Sequence, residues 1–113
     1  MDARPAEYFI TDVGADEVRK INGVVFKHKR KLFGACIHFY SNSFGWLIHD
    51  IKTGLCVAVS DSYPTTDKAT AMLDEEIKRF NKAITKEERK HYTAMIKKAY
   101  DEHPEIKKQV FGN

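Results

Sequence analysis

The run Lys27-His28-Lys29-Arg30-Lys31 is the part of this 113-residue chain whose residue types and spacing most directly suggest a chemistry. Cations this dense neutralise several phosphates of a polyanion at once, and release of condensed counterions then supplies the binding free energy. Arg19 and Lys20 extend the cluster, and Phe26, Phe33, His38 and Tyr40 lie near it in sequence as stacking surfaces for bases. Residues 19–31 carry a net +6, against −4 for 1–18, −1 for 32–63 and +2 for 64–113. The formal charge of +3, from 19 basic and 16 acidic residues, therefore comes from one segment. Such a field steers an anionic partner and says nothing about fold. The plainer reading of the same residues is a solvated turn, or an edge strand that lysines keep from pairing with other chains.

The other reactive residue types do not assemble into a set. The chain has five histidines and two cysteines, and Cys36-x-His38 places two ligand types on one face of a strand. Zinc needs four such atoms converging at about 2.0–2.3 Å, and no CxxC or HxxxH spacing preorganises them. A cysteine nucleophile, drawn as Cys36 with His38 or Cys56 with His49, needs a favoured thiolate. Both cysteines sit inside apolar runs, where burial holds the proton on, so they read as core thiols. A bridge between them requires their strands to lie side by side. Glu75 and Arg79 form an ordinary i,i+4 helix pair, and there is no GxSxG, P-loop or GxGxxG. The expectation is a protein without catalytic residues, cofactor or metal.

A second class of function rests on the aromatic residues. Trp46 is the only tryptophan and follows Phe44-Gly45. If the helices cover the face carrying Leu47, then Trp46 with Phe44 and Tyr40 forms an exposed patch, the usual anchor of a protein interface. Tyr92 offers a similar anchor on a later helix. In that reading the chain is an accessory or inhibitory protein of the phage or mobile-element type, an analogy of size alone. The opposite reading places Trp46 in the core. Between the two function classes the basic segment ranks first, because it is the one localised chemical feature.

The elements that must position these residues follow from periodicity. At 42% hydrophobic and 31% charged, the composition is that of a folded domain of ordinary size, and 113 residues make one domain. No apolar run approaches the roughly 18–20 residues a membrane-spanning helix needs. The charged start, Met1 to Glu7, lacks the apolar stretch of a secretory signal, so with two free thiols a cytoplasmic protein is expected. Tyr8–Val13 reads as an edge strand, and Ala15–Ile21, with Val18 and Ile21 three apart, as a helical turn or two stopped by Asn22-Gly23. Residues 24–33 read as a hairpin with a basic tip or as one bent strand, and 35–40 as a strand. Ser41–Gly45 is a turn cluster, and 46–51 and 55–60 pair as a hairpin around Lys52-Thr53-Gly54.

After Pro64, Thr65 or Thr66 caps a helix over about 66–84 whose stripe is Ala69, Leu73, Ile77, Phe80 and Ile84. Thr85-Lys86-Glu87-Glu88 has the capping-box pattern and starts a second helix over 86–102, with Tyr92, Met95 or Ile96, and Ala99 on its apolar side. The predicted architecture is α+β: an antiparallel meander of three or four strands within about 7–60, packed on one face by two C-terminal helices. An uncovered face or edge leaves a homodimer open.

Overall fold

Runs of β-branched and aromatic residues separated by short connections fold the first half of the chain into one sheet. A computed structural model describes residues 3–12 and 17–84 and, further on, residues 94, 97, 98, 101 and 102. Five strands, β1 (Arg4–Asp12), β2 (Glu17–His28), β3 (Lys31–Tyr40), β4 (Ser43–Asp50) and β5 (Cys56–Val59), pair antiparallel in chain order. Two helices follow, α1 (Thr66–Ala71) and α2 (Leu73–Ala83). The fold is α+β as expected, with one strand more than the upper estimate. Residues 17–23, expected as a helical turn, instead form the first part of β2. Val18 and Ile21 are not one side of a helical turn but pair across to Thr11 and Tyr8. Nonlocal pairing with β1 overrides the weak local helical signal. Asn22-Gly23 does not end the element either. It marks where β2 leaves β3, whose ladder stops at Val24↔Ala35.

The helices cover one face of the sheet. Phe26, Phe33, Ala35, Trp46 and Ile48 from the strands meet Ile77, Phe80 and Ile84, with Leu73 packed at the margin. The predicted helical stripe is therefore the core-facing one. Phe80 meets Phe33 edge-on, with ring centroids 4.9 Å apart at 76°. The Thr65 side chain accepts from the Lys68 amide at 3.1 Å and so caps α1 as its position suggested.

The expected single helix over 66–84 is interrupted at Met72. There the Trp46 indole N–H donates to the Ala69 carbonyl at 2.7 Å, and the Met72 amide reaches the same oxygen at 3.2 Å. In an uninterrupted helix that carbonyl serves the Leu73 amide, so sharing it with the indole coincides with the interruption at Met72. At the far end of the sheet the Tyr63 hydroxyl donates to Glu76 at 2.5 Å. Burial, then the Glu76 charge, push the Tyr63 hydroxyl up to about 12.

The other face is closed by the sheet itself. The Thr11 amide donates to the Gly54 carbonyl at 2.8 Å and its hydroxyl to the Thr53 carbonyl at 2.7 Å, so the end of β1 docks on the loop between β4 and β5. This curl lays the Tyr8 ring flat over Gly34, where an added Cβ would sit 2.6–2.8 Å from three ring atoms. Tyr8, Ile10 and Leu55 are buried there, away from the helices. The helix expected over 86–102, with Tyr92, lies outside the described residues apart from Ala94, Lys97, Lys98, Asp101 and Glu102, which are helical and exposed. Among the described residues no helix is long and apolar enough to cross a membrane.

Trp46 both fills the core and supplies the hydrogen bond at the helix break. Trp46→Phe keeps an aromatic ring but loses the donor and some volume. It is expected to lower stability by about 1–2 kcal/mol. A urea midpoint equal to that of the unsubstituted protein would contradict that role.

Candidate nucleic-acid interface

The basic tip is a two-residue turn, Lys29-Arg30, between β2 and β3. Lys29 holds φ at 56°, a left-handed conformation that costs a side-chain-bearing residue about 1–2 kcal/mol and that glycine adopts freely. Turns of a meander alternate between its two ends, so the loop after β4 lies at the same end as this tip. The two meet: His28, Lys29, Arg30, Lys31 and Lys52 line one hollow of about 570 Å³. None of those five lining residues is acidic. On the other side of the tip Arg4 and Lys27 border a second hollow of about 450 Å³, with Val25 and Leu32 among its lining residues.

A buried carboxylate fixes the two basic loops against each other. Asp50 is 1% exposed and ends β4. Its Oδ2 accepts from the Thr53 hydroxyl at 2.7 Å, and its backbone bonds both Gly54 and Leu55. Oδ1 has no hydrogen bond and faces the Lys31 ammonium at 3.6 Å. From the hairpin side, the Ile51 amide donates to the Leu32 carbonyl at 3.2 Å. Lys31 also lies over the Phe33 ring at 5.8 Å, so its charge is partly committed to the fold. Lys29, Arg30 and Lys52 are exposed.

The six cations singled out from the sequence do not form one patch. Lys27, Lys29, Arg30 and Lys31 gather at the tip. Arg19 and Lys20 lie beyond the point where β2 leaves β3, opposite Ile10 and Phe9, and Lys20 is paired with Glu7 at 3.2 Å. Lys52 and Arg4 join the tip in their stead. Lys52 was recoverable from meander parity, since its hairpin loop and the 27–31 tip must share an end. Arg4 required the β1–β2 register, which places it opposite Val25.

The aromatic residues divide as well. Trp46 is 5% exposed, so it fills the core and presents no surface to a partner. The reason is that α1 and α2 cover the face of Trp46 and Ile48, not that of Leu47. Phe44 is half-buried and Tyr40 is exposed at the β3–β4 turn, and Tyr92 lies outside the described residues. That turn is Ser41-Asn42, with φ of 52° and 62°, so β4 starts at Ser43 and takes in Phe44-Gly45.

The cysteines and His49 occupy the sheet face away from the helices. Cys36 is half-buried and Cys56 exposed, so neither is a core thiol, and both are free. β4 runs between their strands, which removes the side-by-side arrangement a bridge needs. Cys56 sits opposite His49 in register, but the His49 Nδ1 faces the Tyr8 hydroxyl at 3.3 Å. Burial pushes the Cys36 thiol above its ordinary range, against the pull of Tyr8 and Arg19. Burial likewise pushes the Tyr8 hydroxyl up. Among the described residues no three His, Cys, Asp or Glu side chains converge on a metal position. No protein-family model, curated protein or solved structure matches the chain. The geometry of the site therefore carries the functional argument.

Burial holds His49 neutral, lowering its pKa from 6.5 to about 4. The unfolded chain takes up this proton near pH 6.5 while the folded chain resists it. Stability from this group is thus complete above about 6.5 and declines as pH falls toward about 4. The loss is on the order of 3 kcal/mol at the acid end. His49→Gln, which still accepts from Tyr8, is expected to flatten the stability profile in that window. Parallel profiles for the two proteins by chemical denaturation would refute the assignment.

Proposed function

We propose that the protein is a non-catalytic, regulatory nucleic-acid-binding domain that grips phosphates between the β2–β3 tip and the β4–β5 loop. The observation that carries this reading is the convergence of Lys52 with Lys29, Arg30 and Lys31 around one hollow lined by no acid. Cations from two loops that are distant in sequence meet at one end of the sheet, and Asp50 holds both loops. A solvated turn needs no such convergence. Lys29 adds support, because a strained turn position is occupied by a cation where glycine would cost less. The reading places the protein in the cytoplasm, where its two free thiols stay reduced. The competing protein-interface reading loses its principal anchor with Trp46 in the core.

Phosphate contact of this kind is expected to show a salt dependence. With three or four cations engaged, log K against log salt falls with a slope of about −2 to −3 for single strands. Fluorescence anisotropy between roughly 50 and 200 mM salt reads it. Each of Lys29→Ala, Arg30→Ala and Lys52→Ala is expected to reduce the slope by about 1. Lys20→Ala, already paired with Glu7, is expected to leave it unchanged. Absence of binding at the lowest salt would sink the proposal.

Lys29→Gly separates fold from function. Relief of the left-handed strain is expected to raise stability by about 1 kcal/mol while the variant binds more weakly. Equal or tighter binding would show that the lysine serves the turn rather than a ligand.

A further inference from the structure

The end of the sheet opposite the basic tip carries aromatic rings that the fold does not use. Tyr40 is 73% exposed and Phe39 61%. His38 and Tyr40 share the face of β3 that carries Cys36, and their ring centroids lie 6.4 Å apart with planes 31° from parallel. Gly45, the register partner of His38, adds no side chain beside the imidazole. Arg19 belongs to the same face and lies close enough to Cys36 to act on its thiol. Strand alternation puts it with Ile21, whose partner Tyr8 lies over Gly34 on that face. The nearby Asp61 has its carboxylate held by Arg79, so its negative charge is already matched.

We infer that this end is a stacking platform for unpaired nucleobases, in which His38 and Tyr40 take base faces, so that the ligand is single-stranded nucleic acid. The inference rests on the phosphate-binding reading of the opposite end and specifies its ligand. Two rings on one strand face, tilted 31° to each other, offer separate faces to successive bases, and each base stacked in this way contributes to affinity whatever its sequence. A duplex keeps its base faces internal and has nothing to offer these rings. About 30 Å of β3 separates Lys31 from Tyr40. A strand long enough to reach from tip to platform engages both, whereas a short one engages either alone.

The test is anisotropy at about 50 mM salt with labelled oligothymidines of roughly 4, 8 and 16 nucleotides, and with a duplex of the same charge. Wild type is expected to bind the longest single strand most tightly. Tyr40→Ala is expected to weaken that binding about tenfold, to leave duplex binding unchanged, and to erase the advantage of length. Tyr40→Phe retains a ring and is expected to restore it. Because Tyr40 is exposed, the variants are expected to fold, and an unchanged thermal midpoint confirms it. Undiminished single-strand affinity in Tyr40→Ala, with binding lost in Lys29→Glu/Arg30→Glu, overturns the platform and leaves the basic tip standing. Insensitivity to the tip variant, or no binding by wild type, overturns both.

Discussion

Asp50 is a buried carboxylate at the end of β4, and its bonds hold the loop from Ile51 to Leu55 in one shape. That loop in turn receives the end of β1, through the Thr11 amide and hydroxyl. Gly54 makes the junction possible. Its φ of 74° suits glycine, and a Cβ there would lie 2.8 Å from the Thr11 hydroxyl. Docking of β1 then fixes how far the sheet curls, and the curl seats Tyr8 on Gly34 and buries His49. The same carboxylate faces Lys31 across the loop, which ties the basic tip to this junction. A charge in so enclosed a place is costly unless hydrogen-bonded and matched. Here one oxygen is bonded and the other faces an ammonium that remains partly in water.

The two faces of the sheet are stabilised by different means. On the helix side, burial of Phe26, Phe33, Trp46, Ile48, Ile77 and Phe80 removes apolar surface from water, and each large side chain contributes on the order of 2–3 kcal/mol. Among the described residues no helix packs on the opposite face, which closes by curvature with polar groups inside it. Tyr8 and His49 satisfy each other there, which limits the penalty of burying them. The partial closure leaves Cys36 half-buried and the far end of β3 uncovered. The fold thus ends with apolar protection in its middle and exposed chemistry at both of its ends.

Local pattern made much of this legible. The hairpin around Lys52-Thr53-Gly54, the basic tip between paired strands and the stripe from Ala69 to Ile84 all depend on neighbours a few residues apart. Three features depended on distant partners and were not legible. The β1–β2 ladder turns a short helical pattern at Val18 and Ile21 into strand. The Trp46 indole marks the helix break from 23 residues away. The closure of β1 onto Gly54 decides which thiols are exposed, and no spacing in the sequence encodes it. For the candidate site, charge density singled out residues 19–31 as one segment, whereas β2 leaves β3 at Val24 and sets Arg19 and Lys20 opposite Ile10 and Phe9.

That separation bears on what the molecule can hold. If all six cations of residues 19–31 formed one patch, the field would favour any polyanion, and duplex and single strand would compete on charge alone. The extended β2 prevents this. It leaves four cations at the tip with Lys52, whereas Arg19 and Lys20 lie opposite Ile10 and Phe9, and Lys20 is matched by Glu7. On the proposed reading, charge at one end and stacking surface at the other would select for a ligand that is both anionic and unpaired along its length. Rigidity matters to that selection, since β3 runs unbroken from Lys31 to Tyr40 and fixes the distance between the two ends. A flexible linker would leave that distance undefined. On the same reading, a strand of fixed length lets one long ligand reach both ends at once, while a short one reaches either alone.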